Sequence, residues 1–244
     1  MTDPAAIAAL LAAGDDRGAF DQLRAELGWP AGKAIPEAEL PRWLALITEL
    51  ARHRGAPQLA ELADGAVRDP DSPDRLYDLG YALIDAGAPA IAAVVLWRCL
   101  ALVGDSEEVT CELVSALESA QAYPDAFGVL DDHAALRARS FLCRYLYAFN
   151  AAMSGRLDVT RGQLPLLATA GADDPPDAPA LIETIRGMIE RADRIAGAAP
   201  LDARDLRGRH YVLTGGLVIH QSPYGFDEPM HGRYAWLADS APRI

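Results

Sequence analysis

Three histidines, His210, His220 and His231, stand within HYVLTGGLVIHQSPYGFDEPMHGRYAW, residues 210–236, with Asp227 and Glu228 between the last two. Imidazole and carboxylate are the ligands of zinc-type sites and the proton carriers of hydrolytic catalysis. The spacing fits neither use in a standard form. There is no HExxH helix, no paired cysteines of a finger and no GxSxG elbow, and TGGL lacks the GxxxxGK[ST] context of a phosphate loop. An enzyme or metal-binding module centred on residues 210–231 is therefore the alternative reading. The preferred one is a structural tail, and no catalytic residue, metal ligand or cofactor is assigned.

That tail needs support. HYVLTGGLVIHQS alternates β-forming residues around TGG, which reads as strand, glycine turn and strand, and GRYAWLAD reads as a further strand. A hairpin of this size is not stable alone in water. Residues 201–244 are expected to form a β-containing appendage that rests on the helices before it, on sequence beyond this chain, or on a second copy. The last option gives a route to self-association.

Cys99, Cys111 and Cys143 lie in apolar helical patterns without CxxC or histidine-paired spacing, so buried thiols are expected. With 51% hydrophobic and 23% charged residues, the 244-residue chain can bury a core of ordinary size. The formal net charge of −13 argues against direct nucleic-acid binding, which requires a basic footprint. Residues 201–244 balance Arg204, Arg207, Arg209, Arg233 and Arg243 against Asp202, Asp205, Asp227, Glu228 and Asp239, so the acidic excess belongs to residues 1–200. An electrostatic partner for that part is expected to be basic. No apolar run is long enough for a membrane helix, and Asp3 stands where a signal peptide carries positive charge. A cytoplasmic protein without membrane partners is the expectation.

Internal repetition supplies the architecture. Leu79, Leu113 and Tyr147 are 34 residues apart, and so are Leu83, Leu117 and Ala151, then Gly87, Gln121 and Gly155, then Leu96, Leu130 and Leu164. In each copy an apolar stripe of helical period ends near Gly87, Gln121 or Gly155, and a second opens five residues later at Ala92, Ala126 or Thr160. The pattern predicts helix, tight turn and antiparallel helix, three times between residues 75 and 169. Gly55 with Ala60, and Gly14 with Ala19, keep the same offset, which makes five hairpins. GWPAGKAIPEAELP, residues 28–41, reads as a longer connecting loop between the first two. AGADDPPDAP breaks the pattern after the last hairpin, and ALIETIRGMIERADRIAG, residues 180–197, reads as an amphipathic cap over its exposed flank.

Leu76, Leu79, Gly80, Leu83, Gly87, Ala92, Leu96 and Cys99 give the first of these copies its likeness to a known pattern. It resembles the tetratricopeptide repeat family, a 34-residue helical hairpin with large, small and glycine residues at set places. Later copies depart from it: Val114 and Ala148 replace the contact glycine, and Thr160 replaces the alanine. The resemblance implies a right-handed superhelix, an α-solenoid whose first helices line a concave face. Its lining places fall on Asp74, Tyr77, Asp78, Tyr81, Ile84 and Asp85; on Glu108, Cys111, Glu112, Ser115, Glu118 and Ser119; and on Leu142, Tyr145, Leu146, Phe149, Ala152 and Met153. The Lys, Asn and Arg set with which chaperone-binding relatives clamp a C-terminal carboxylate is missing.

The chain thus reads as mainly α: a degenerate first hairpin and loop over 1–40, repeats over 41–170, a capping helix over 171–200 and a β-containing appendage over 201–244. Its expected role is that of a non-enzymatic scaffold for a protein or peptide partner, a basic segment being the favoured class. The contact residues would be Asp74, Tyr77, Asp78, Tyr81, Glu108, Glu112, Glu118, Tyr145 and Phe149.

Overall fold

A computed structural model describes residues 4–15, 17–19, 21–22, 40–169 and 175–197, and those residues are mainly helical. The expected strands of residues 210–236, their three histidines and most of the loop at 28–41 lie outside the described residues. The first helix, α1, is Pro4–Ala12, followed by helical residues at 17–19 and 21–22. Then come α2 (Leu40–His53), α3 (Pro57–Arg68), α4 (Pro73–Asp85), α5 (Pro89–Val103), α6 (Glu107–Ser119), α7 (Tyr123–Asp132), α8 (Ala134–Arg139), α9 (Phe141–Met153), α10 (Leu157–Leu167) and α11 (Ala178–Gly197).

The repeat register is written in the turns. Gly14, Gly55, Gly87 and Gly155 have φ of 75°, 68°, 73° and 76°, and Gln121, at the matching place in the second of the 34-residue copies, has φ of 60°. Each left-handed residue ends one helix and reverses the chain. Two residues on from the last helical turn, Ala88 N–H donates to Leu83 O, Ala122 N–H to Leu117 O and Arg156 N–H to Ala151 O, all at 2.8 Å. These are the bonds that close the carbonyl end of a helix. At the other end Ser72, Ser106 and Ser140 cap α4, α6 and α9, their hydroxyls accepting from the N–H of Arg75, Val109 and Cys143. The three caps repeat at the same period as the turns. Proline at the first or second place starts α3, α4, α5 and α7, where it removes an N–H that the helix cannot satisfy anyway.

Helices pair in order: α2 on α3, α4 on α5, α6 on α7, α9 on α10. Successive pairs stack through α5 on α6 and α7 on α9, and first helices also touch, α4 with α6 and α6 with α9. Leu76, Leu79, Leu83, Leu96, Leu113, Leu117 and Leu130 fill one continuous core. Ala90 through Leu96 are all buried, because α5 is covered by α4 on one side and α6 on the other. Within the hairpin of α4 and α5, Gly80 lies directly against the Leu96 side chain. Where the third copy has Thr160, its buried hydroxyl donates across the hairpin to Ala148 O at 3.2 Å, so the polar substitution is satisfied.

A second core joins the last hairpin to α11. Phe141, Phe149 and Leu167 pack with Ile185, Met188 and Ile189, with Leu181 partly buried beside them. One feature departs from the repeat. The second helix of the 107–139 hairpin is not continuous: it breaks at His133, and α8 follows as a separate turn and a half. His133 Nδ1 lies 2.6 Å from Asp105 Oδ1, and Arg139 donates to Asp105 O at 3.0 Å, so the break is held by the loop between α5 and α6.

Candidate partner-binding face

The first helices α4, α6 and α9 lie side by side and bring most of the expected contact residues onto their outer surface. Tyr77 on α4 is half-buried, and the carboxylates of Glu112 and Glu108 on α6 lie close enough to act on its phenol. Burial first, then the negative charge of Glu112 and Glu108, push this phenol up to about 12. Glu112 is itself raised, by burial and by the carboxylates of Glu108 and Asp85. Four expected members, Tyr77, Tyr81, Glu108 and Glu112, therefore share one patch with Asp85, across two hairpins. Tyr81 is 50% exposed, an unusual position for so large a ring.

Other members separate from that patch. Asp74 is exposed in the first turn of α4, where a negative charge complements the helix dipole. Asp78 lines a cleft of ≈ 430 Å³ with Gln58, Glu61, Leu62, Gly65, Arg68 and Arg75, so two guanidinium groups share its surroundings. Phe149 is only 4% exposed and belongs to the core under α11, which leaves it no ring face for a partner. Tyr145 stays half-exposed one turn earlier, its ring centroid 6.1 Å from that of Phe149.

Between α6 and α9 is a second polar group. Asn150 is fully buried; its Nδ2 donates to Glu118 Oε1 at 2.7 Å and to Leu146 O at 2.8 Å. Its Oδ1 is buried without a hydrogen-bond partner. Burial pushes the Glu118 carboxyl up to about 7, against the lowering effect of the Asn150 bond. The carboxylate in turn disfavours ionisation of Tyr145 and Tyr123, so both phenols lie within its reach. Burial and this charge push Tyr145 up to about 12. Sequence reasoning placed Glu118 on this face but gave no sign of Asn150, which is not at a lining place. A polar residue amid the apolar run AFNAAM was the only available signal.

The thiols follow the same geometry. Cys99 and Cys143 are buried and Cys111 is partly so; Cys111 Sγ and Cys143 Sγ approach to 3.9 Å across the α6 and α9 contact. Among the described residues no group of three or more His, Cys, Asp or Glu side chains is placed to hold a metal ion. No helix among them is long and apolar enough to cross a membrane. Compared with known proteins, the chain matches no family model and no curated sequence.

Proposed function

We propose that this chain is a tetratricopeptide-like, non-enzymatic scaffold that binds a basic segment of a protein or peptide. Its hairpins wind into a right-handed superhelix, and the outer surface of α4, α6 and α9 is the concave face. The convergence of Tyr77, Tyr81, Glu108 and Glu112 supports this reading most strongly. Their spacing is one hairpin, so contact area and negative charge come from two helices whose relation the core fixes. Tyrosine rings give rigid contact surface, and carboxylates around them select Lys or Arg. The tetratricopeptide likeness rests on the 34-residue period, the left-handed turn residues and the Gly80 contact. A cytoplasmic setting and an appendage at 201–244 that caps the array or pairs two copies complete the proposal.

The test uses the full chain and a blocked hexa-arginine peptide as probe. Binding should weaken when Glu108 and Glu112 become Lys, and should survive deletion of residues 205–244. Loss of all binding on that deletion, or tight metal retained through dialysis and lost with His220→Ala and His231→Ala, would favour a module centred on residues 210–231 instead.

A further inference from the structure

Glu118 and Asn150 are more than a buried contact between two hairpins. We infer that Glu118, with the Tyr123 and Tyr145 rings beside it, is a subsite of the binding face that takes one cationic side chain of the partner and releases a proton as it does so. The inference rests on the proposed reading of the face, which it makes specific.

The groups around Glu118 are acceptors or neutral. Asn150 of α9 supplies one N–H to Oε1, Tyr123 comes from α7 and Tyr145 from α9, and Glu107, Glu108 and Glu112 are the other acids on its own helix. Asp177, just before α11, acts on Tyr145. No cation figures among the groups that set the ionisation of Glu118. Asn150 Oδ1, fully buried, also lacks a donor. A carboxyl group in this setting is accommodated in two ways, as the neutral acid or as a carboxylate paired with a cation. With no ligand, a protonated Glu118 has an O–H to donate and Asn150 Oδ1 is an acceptor without one. With a guanidinium or ammonium group at Glu118, the carboxylate is favoured and its proton passes to solvent: COOH plus bound cation becomes an ion pair plus one released proton. Glu118 and Tyr145 are each partly exposed, so the site opens to the face rather than lying sealed in the core.

Three measurements decide it. Affinity of the full chain for blocked hexa-arginine, read by fluorescence anisotropy, should rise about tenfold from pH 6 to pH 8, because one proton must leave a group titrating near 7. Exposed carboxylates titrate about three units lower and give no such change. Glu118→Gln should bind more weakly at pH 8 and show no dependence on pH. On the wild type, the Glu118 carboxyl carbon followed by NMR, assigned through Glu118→Gln, should titrate near 7, and its midpoint should fall when methylguanidinium chloride replaces sodium chloride at equal ionic strength. An unmoved midpoint overturns the subsite whatever the peptide does. If Glu118→Gln binds like the wild type at every pH while Glu108→Lys with Glu112→Lys does not, the subsite is wrong and the face stands. If neither change affects the peptide, the face is wrong, and the methylguanidinium titration still judges Glu118.

Discussion

A Cβ on Gly80 would sit 2.5 Å from Leu96 Cγ, across the contact of α4 with α5. Leu96 is fully buried, so a side chain at residue 80 would have to displace packed core atoms. Gly80→Leu should destabilise by about 1–3 kcal/mol in urea unfolding, the usual cost of forcing bulk into a packed core. Gly128 offers the control. A Cβ there meets nothing within 4 Å, and Gly128→Ala should be neutral or stabilise by up to about 1 kcal/mol through helix propensity.

Gln121 does with a side chain what Gly87 and Gly155 do without one. Its φ of 60° is costly for any residue with a Cβ. Gln121→Gly should therefore stabilise, by about 1 kcal/mol or somewhat less given the added freedom of the unfolded chain. Gly87→Ala should move stability the other way. Paired thermal melts of the two variants read both signs.

Stability should depend on pH through Glu118. Its carboxyl is held near 7 in the fold against 4.5 when free, so the native state binds more protons between those values. The contribution is fully present below about 4.5 and is lost as pH rises through 7. The unfolding free energy should fall by about 2–3 kcal/mol from this group across that window. Glu118→Gln, which cannot ionise, should remove that fall; a wild type and variant with parallel pH profiles would show that Glu118 is not perturbed.

Tyr81 projects half its surface from α4 beside Tyr77, and this exposure is what a binding anchor requires. Tyr81→Ala should cost roughly 2 kcal/mol of hexa-arginine affinity if the ring is a central contact, expressed mainly as faster dissociation. Stopped-flow kinetics separate the two rates. Folding stability should hardly change.

The turns were legible because a left-handed residue needs special chemistry, which Gly14, Gly55, Gly87 and Gly155 supplied, each five residues before a small residue that packs in the next helix. Ser72, Ser106 and Ser140 carry the same period, a signal that the apolar register concealed. The break at His133 was not legible: it depends on Asp105, 28 residues away and on another loop. Asp131 has the look of a solvated charge on the second helix, yet it accepts from Tyr147 at 2.8 Å and from Arg137 at 3.3 Å. Phe149 and Tyr145 both fall on lining places of the repeat pattern, and only the packing against α11 buries one and leaves the other partly open. Contacts between hairpins decide these cases, and a single helix's periodicity does not contain them.

Recognition of a basic segment by the Glu108 and Glu112 side of the array is distinct from attraction by net charge. The most direct measurement compares hexa-arginine affinity for Glu108→Lys with Glu112→Lys against that for Asp132→Lys with Asp158→Lys, an equal charge change on exposed positions of second helices. The first pair should weaken binding by about tenfold or more and flatten its salt dependence, since exposed charges are screened over about 8–10 Å. The second pair should do little. Equal losses from both pairs, or none from the first, would contradict the account.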